Sequence, residues 1–523
     1  MSVNSGTIKK LIARRHPEYE SMKIHWDFMD ACYRGGRKWF EENIFEYHKE
    51  GAQEFSNRKK RAFRFNHTRE IVDLTNKYLF RAEISRKDGA PNAVKEFWGN
   101  VNRDGLNIKD FMQVVSQKNS TLGCPWIIVD NAETNVPPNQ SKADEKKGGI
   151  YAYVIPPQRV LDWSWNSEDG LLNWILIEEA YRNDQDPFNS DTETKYRHRL
   201  WTRTNWYLYR ATDKSGIYEQ EDTGINSIGV VPAIRADHLI SSDPWSTPAL
   251  IADVAYLDRA VANYLSNLDA IIQDQTFSQL AIPAQGLLPG EDGHKKILEM
   301  GTKRIFTYDG EGGGKPFFLS PDPRQATLIV AVIQQIINEI YHSVGLAGER
   351  TKQDNAKGID NSSGVAKSKD FERVNSLLSS KAMSLQVIEN KIAYLVALYA
   401  GEENQWDWSE ELVVYPKTFD VRQLQDEFDI AMRLSLIEVP EIIRAEQMKA
   451  VVEKLFPNLS GELKERMMKE VKSWEERLRE QASFNMTSSS ETGGSIVEEA
   501  KRERLASGQK QSDTKSRQEN GNS

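Results

Sequence analysis

Apolar positions recur along this chain with two periods, and the switch between them divides it into regions. Up to about residue 120 the period is helical. Trp26, Met29 and Tyr33 share a face before a Gly35-Gly36 break, and FNHTREIVDLTNKYLF spaces Ile71, Leu74, Tyr78 and Leu79 by helical turns. The basic run before it, NRKKRAFRF, reads as a solvated helix start. From about 121 to 240 the runs are short and rich in β-formers: PWIIVD, IYAYVIP, NWILIEEAY, RLWTRTNWYLYRA and SIGVVPAIR. PPNQSKADEKKGG and RNDQDPFNSD are loops between them. The expected fold class is α+β, mainly helical.

The next segment is the most regular. After a cap at Ser246 or Thr247 and Pro248 near the first turn, Leu250, Val254, Leu257, Val261, Tyr264, Leu268 and Ile271 alternate in steps of four and three. That seam predicts a helix of about 28 residues, about 42 Å long, which needs a neighbour. Asp253, Asp258, Asp269 and Asp274 mark its other faces as wet. Phe277 to Pro323 is strand-like in QLAIPA, KRIFTYD and KPFFL, separated by Gly/Pro turns. A second helix follows, with Ile329, Ile333, Ile336, Ile340 and Val344 as its seam. Two helices bracketing a small β module suggest a stalk with a tip.

A polar loop, Gly345 to Ser363, leads into a third long helix. Its apolar face runs through Val365, Phe371, Val374, Leu377, Leu378, Met383, Val387, Ile388, Ile392, Leu395 and Val396. ELVVYP is strand-like, and the region from about Val421 to Glu480 is helical and charge-rich. Ser483 onward has few apolar residues and is expected to be disordered or ordered only by partners.

Composition narrows the classes. A chain of 523 residues exceeds one typical core, and 39% hydrophobic with 28% charged residues supplies both cores and a solvated surface. No window approaches the run of about eighteen apolar residues that spans a membrane, and the N-terminus lacks a secretory pattern, so a cytosolic site of synthesis is expected. Cys32 and Cys124 are too few for a disulfide framework and read as free buried thiols. A net charge of −9 argues against grip on nucleic acid through a basic face, but not against DNA sliding past. Thirteen Trp and eighteen Tyr suit contact surfaces, and ordinary cores still better.

Catalytic patterns fail on inspection. GEGGGKPF at Gly310 lacks the P-loop spacing, with Asp309 in place of its first Gly and Pro316 in place of the magnesium-binding Ser or Thr. No G-x-S-x-G elbow occurs, and the eight histidines form no H-E-x-x-H or comparable spacing. Ser362 and Ser363 have no base nearby in sequence, and Glu178-Glu179 reads as a solvated pair on a strand. No catalytic residue, metal ligand or cofactor is expected, and the protein is read as no enzyme.

The order of parts resembles that of a tailed-bacteriophage portal protein, the head-to-tail connector of siphophage type. The resemblance spans roughly residues 15 to 480. It is carried by Asn66 with IVDLTNKYLF, by Gly123-Cys124-Pro125-Trp126-Ile127, by Gly229-Val230-Val231-Pro232, and by SSGVAKSKDF after a polar loop and a helix. It implies a virion protein, assembled in the host cytoplasm, that forms a ring of about twelve copies at one capsid vertex for genome packaging and ejection. Implied partners are other copies of the chain, double-stranded DNA in the channel, the large terminase, the major capsid protein and scaffold, and a head-completion adaptor, with no membrane.

Position by position, the resemblance makes residues 1–246 the wing, 247–275 a stem helix, 276–324 the clip, 325–344 a second stem helix, and 345–363 the tunnel loop. Residues 364–420 become the long wing helix and following strand, 421–482 the crown, and 483–523 a tail. Lys352, Asn355, Lys357 and Asn361 become candidates to face DNA from the loop, and Asp253, Asp258, Asp269 and Asp274 to line the channel. Lys295, Lys296, Lys303 and Arg304 become candidates to bind partners at the clip. About twelve helices at about 10 Å spacing would enclose a bore of about 28 Å, wide enough for duplex DNA. Two alternatives remain: a generic coiled-coil scaffold, and a metal-dependent nucleic-acid hydrolase with carboxylates from distant segments.

Overall fold

The computed structural model describes residues 5–419 apart from 49, 103, 132–148, 183, 185, 189, 213–216, 242–244, 246, 277–278, 284–304, 309–314, 316, 320–322, 347–363 and 418. Contacts divide the chain into units at 1–419 and 420–523, and only the first falls among the described residues. The crown and tail expectations therefore lie outside them.

Seven helices open the chain: α1 (Ser5–Ile12), α2 (Pro17–Arg34), α3 (Arg37–Asn43), α4 (Ala52–Arg61), α5 (His67–Leu79), α6 (Asn92–Gly99) and α7 (Ile108–Leu122), with a short strand β1 (Ser85–Arg86) before α6. Local chemistry sets their ends. Pro17 starts α2 where a missing N–H costs nothing, and Gly35 at φ 65° stops it. Asn66 and Asn107 cap α5 and α7 by accepting from the N–H of Arg69 and Asp110, each at 2.9 Å. Gly123, at φ 84°, ends α7. A Cβ there would stand 2.5 Å from the Thr247 carbonyl oxygen, so only glycine admits that strand of chain.

Two antiparallel sheets follow. β2 (Trp126–Asn131) lies between β3 (Ile150–Ile155) and β9 (Ala233–Arg235). A meander in sequence order comprises β4 (Val160–Trp165), β5 (Leu172–Tyr181), β6 (Lys195–Thr202), β7 (Asn205–Ala211) and β8 (Tyr218–Ile225). PWIIVD is continuously apolar because β2 separates two cores. Trp126 and Ile128 join the core shared by α2, α3, α5, the meander and later helices, while Ile127 and Val129 join a second core with α6 and α7. Trp26, Trp39, Trp126, Trp163 and Trp201 are all buried, so much of the tryptophan serves packing. Cys32 and Cys124 are free and buried.

Beyond the sheets come α8 (Val254–Thr276), the strands β10 (Gln279–Pro283), β11 (Ile305–Tyr308) and β12 (Phe317–Leu319), then α9 (Pro323–Ser343) and α10 (Gly364–Ala400). β10 is central, parallel to β11 and antiparallel to β12. α8 begins later than the cap expected at Ser246 or Thr247, because the backbone of Thr247 to Ala249 lies against Gly123 and 250–253 form a turn. Its buried face also differs from the expected seam. Ile251, Val254, Ala255, Val261, Ala262 and Leu265 are buried, whereas Tyr264 is exposed.

α10 belongs to the second core through Leu378, Ala382, Leu385, Ile388, Ile392 and Val396. Met383 and Val387, expected on that face, are exposed, and Lys381, Ser384 and Glu389 are buried instead. Leu412, Val413, Tyr415 and Phe419 are pinned to this helix by its side-chain amides. The Asn390 carbonyl accepts from the N–H of Leu412 (3.0 Å) and Val413 (3.1 Å), Gln386 from Tyr415 (2.9 Å), and Asn375 from Phe419 (2.7 Å). A short strand β13 (Val413–Val414) within that stretch pairs with β1.

Candidate functional site

The helices α8 and α9 flank the three-stranded sheet and pack on one another. Burial along them is graded. The buried residues of α8 run from Val254 to Ser266, and Ile272 near its end is 47% exposed. α9 runs the other way: Leu328 is 65% and Val330 41% exposed, while Ile333, Ile337, Ile340, Tyr341 and Val344 are buried. The ends that carry the sheet therefore keep apolar side chains uncovered, and the other ends are set in the core.

What fixes the embedded ends is a row of arginines from the basic run. Arg58 grips Glu50 through two bonds of 2.8 and 2.7 Å and donates to Ser266 Oγ at 3.1 Å. Arg61 donates to Asp269 at 3.0 Å, and Arg64 to Asp258 at 3.2 Å. The solvated helix start expected for NRKKRAFRF is thus corrected for Arg58 and Arg64, which are buried, while Arg61 pairs from an exposed position; a guanidinium every third position meets the polar side of α8. Arg64 also stacks over Trp39 at 3.9 Å and donates to the Cys32 carbonyl.

Asp258 is the centre of this arrangement. Its side chain has no exposure and that of Arg64 only 3%. Besides Arg64, the Thr68 hydroxyl donates to Asp258 Oδ2 at 2.7 Å. Burial pushes the Asp258 carboxyl above its ordinary range, and the Arg64 charge opposes that push. A second tie joins α5 to α9: His67 Nδ1 lies 3.1 Å from the Tyr341 hydroxyl, which donates to Glu70 at 2.6 Å.

Of the four acidic residues expected to line a channel, the three whose side chains are described sit in different settings. Asp253 is exposed, and Asp269 is partly buried in its pair with Arg61. Asp258 is enclosed by the chain itself and offers no charge to a lumen, which corrects that assignment. The side chain of Asp274 lies outside the described residues, as do Lys295, Lys296, Lys303, Arg304, Lys352, Asn355, Lys357 and Asn361. So do Gly310 and Ser362 to Ser363. Glu178 and Glu179 are not merely solvated: Arg159 holds the first at 2.8 Å, while Arg197 and Arg199 hold the second at 2.9 and 2.6 Å.

A buried polar cluster escaped the sequence reading. Lys381 Nζ contacts the Ser116 carbonyl (3.1 Å), Asn119 Oδ1 (2.6 Å), Ser120 Oγ (2.7 Å) and His238 Nδ1 (3.2 Å), joining α10 to α7. Burial drives both basic groups well below their ordinary values, with Lys381 adding to the effect on His238. On the same helix Glu389 accepts from Arg86 at 2.8 Å and from the Tyr415 hydroxyl at 2.7 Å. Among the described residues no group of His, Cys, Asp and Glu is arranged to hold a metal, and no helix is long and apolar enough to cross a membrane.

No protein-family model matches the chain, and no curated protein matches it. Solved structures similar at low identity include two from gene transfer agent particles. One is a chain from the virion of a native gene transfer agent particle, 12% identical over 82% of this chain and 92% of that one, with a TM-score of 0.38. The other comes from the neck of an empty gene transfer agent particle computed with C6 symmetry, 11% identical over 72% and 87%, with a TM-score of 0.36. At scores this low neither likeness establishes a shared fold.

Proposed function

We propose that the chain is the subunit of a portal-type ring in a tailed-phage particle, enclosing a channel for double-stranded DNA and catalysing no reaction of its own. The observation that carries this reading is the graded helix pair. One end of α8 and α9 is locked into the core by Arg58, Arg61, Arg64 and the His67–Tyr341 tie, while the end bearing β10–β12 keeps Ile272, Leu328 and Val330 uncovered. Rigid paired helices with uncovered apolar side chains near the sheet suit lateral packing against the same helices of neighbouring copies. The small sheet between them is then the docking platform, first for the large terminase and later for a head-completion adaptor, within a vertex of major capsid protein and scaffold.

With Asp258 inside the core, repulsion of phosphate by the wall rests on Asp253 and on residues the chain places elsewhere, and salt screens it within about 8 Å. The packaging energy comes from the separate motor. A generic helical scaffold is the second reading, favoured by the same uncovered side chains, which suit any lateral assembly. Negative-stain images of the purified protein test the proposal: closed rings with a central opening support it, and filaments or irregular bundles favour the scaffold.

A further inference from the structure

α1 lies on one face of the five-stranded meander, where Ile8 and Ile12 pack with Tyr209 and Leu200. Beside the helix the sheet is uncovered over a cleft of about 890 Å³, within the usual range of binding sites, about 300–1,000 Å³. Tyr196, His198 and Tyr218 line it from this face of the sheet, with Lys9 from α1 and Arg15 from the segment after it. Most charges at the rim are already paired: Glu178 with Arg159 at 2.8 Å, Lys195 with Asp191 at 3.2 Å, and Arg210 with Glu219 at 3.0 Å and Glu221 at 3.6 Å. Among the described residues no carboxylate forms an ion pair with Lys9 or Arg15, and Arg15 hydrogen-bonds only the carbonyls of Ile12 and Arg14. His198 Nδ1 is buried without a hydrogen-bond partner.

We propose that this cleft binds a short acidic peptide segment of a partner protein, with carboxylates on Lys9 and Arg15 and apolar side chains on the tyrosine floor. Two cations that no carboxylate among the described residues neutralises, Arg15 being held only by carbonyls and the Tyr19 ring, set the sign of the ligand. The tyrosines supply rigid amphipathic contact area of the kind enriched at protein interfaces. A lone phosphate would leave most of the volume and all of the rings unused. A single-stranded nucleic acid would use the rings, but Glu178, which shares the face of His198, repels a polyanion that has few donors to offer it. A peptide places its carboxylates on one wall and its backbone N–H groups toward that glutamate.

The probe is a short dye-labelled peptide alternating glutamate and leucine, followed by fluorescence anisotropy with the full chain. Saturable binding is expected. Reversing both charges, Lys9→Glu with Arg15→Glu, should weaken it at least about tenfold, and Tyr196→Ala should weaken it with no change in charge. Lys9 is exposed and Arg15 partly so, and circular dichroism melts of the variants confirm that folding is kept. Absence of saturable binding, equal affinity in the charge-reversed protein, or tighter binding of a labelled single-stranded oligonucleotide abolished by the same substitutions overturns the proposal.

Discussion

Arg64→Met removes the guanidinium paired with Asp258, and the consequence follows from burial. Asp258 has no exposure, so in the variant its charge remains in the core with only Thr68 as a hydrogen-bond donor. Breaking a buried pair on one side costs about 3–5 kcal/mol, because the partner is left uncompensated. Loss of the stack on Trp39 is contained in that figure. Since about 1.4 kcal/mol is tenfold, amide exchange in the middle of α8, at Val261, Ala262 and Leu265, should speed up by about two to three orders of magnitude. The deficit should also depend on pH. Asp258 titrates above its unfolded value of 3.8, so its contribution is most favourable below that value and is lost as pH rises through the folded one. Without Arg64 the folded value moves higher, and the variant should be closest to the parent in acid. Arg64→Met with Asp258→Leu removes both partners and should recover most of the protection. Exchange in Arg64→Met equal to that of the parent at neutral pH would refute the reasoning.

Lys381→Met should flatten the pH dependence of stability. The folded value of this amine is depressed, so its contribution is present above the ordinary 10.5 and lost as pH falls toward the folded value; denaturant midpoints across that window check it. Gly123→Ala should lower the melting temperature by an amount equivalent to at least about 1–2 kcal/mol, from its positive φ and the Thr247 carbonyl 2.5 Å away, and an unchanged melt would contradict the close approach. Leu328→Asp, at a position 65% exposed, should leave the melt unchanged while reducing assembly, and unaltered sedimentation would show that Leu328 is at no interface. Glu in place of both Lys352 and Lys357 should leave rings intact and lower the DNA content of particles, and normal content would count against a DNA-facing loop.

Periodicity read those elements whose partners are apolar. Trp26, Met29, Ile71 and Leu79 are buried as their spacing implies, and PWIIVD is a strand whose unbroken apolar run reflects two covered faces. It misread the faces where polar groups enter the core. Asp258 looks like a solvent marker until Arg64, 194 positions earlier in the chain, is seen to meet it. Lys381 sits in a stretch with nothing to distinguish it from a surface lysine, because Ser116, Asn119, Ser120 and His238 all come from other elements. Met383 and Val387 gave way on α10 for the same reason: pairing made burial of Lys381 and Glu389 tolerable and rotated the face. The strands β4 and β8 carried no separate signal, β8 being an exposed, acid-rich edge whose alternation is masked by Glu219, Glu221 and Asp222.

The central claim is that copies of this chain close around an axis with α8 and α9 at the wall. A reconstruction of the assembled protein viewed down that axis tests it most directly. The account predicts a closed ring, a central opening of about 28 Å, and Leu328 buried between neighbouring copies. An assembly without an axial opening, or one that leaves Leu328 in solvent, would contradict it.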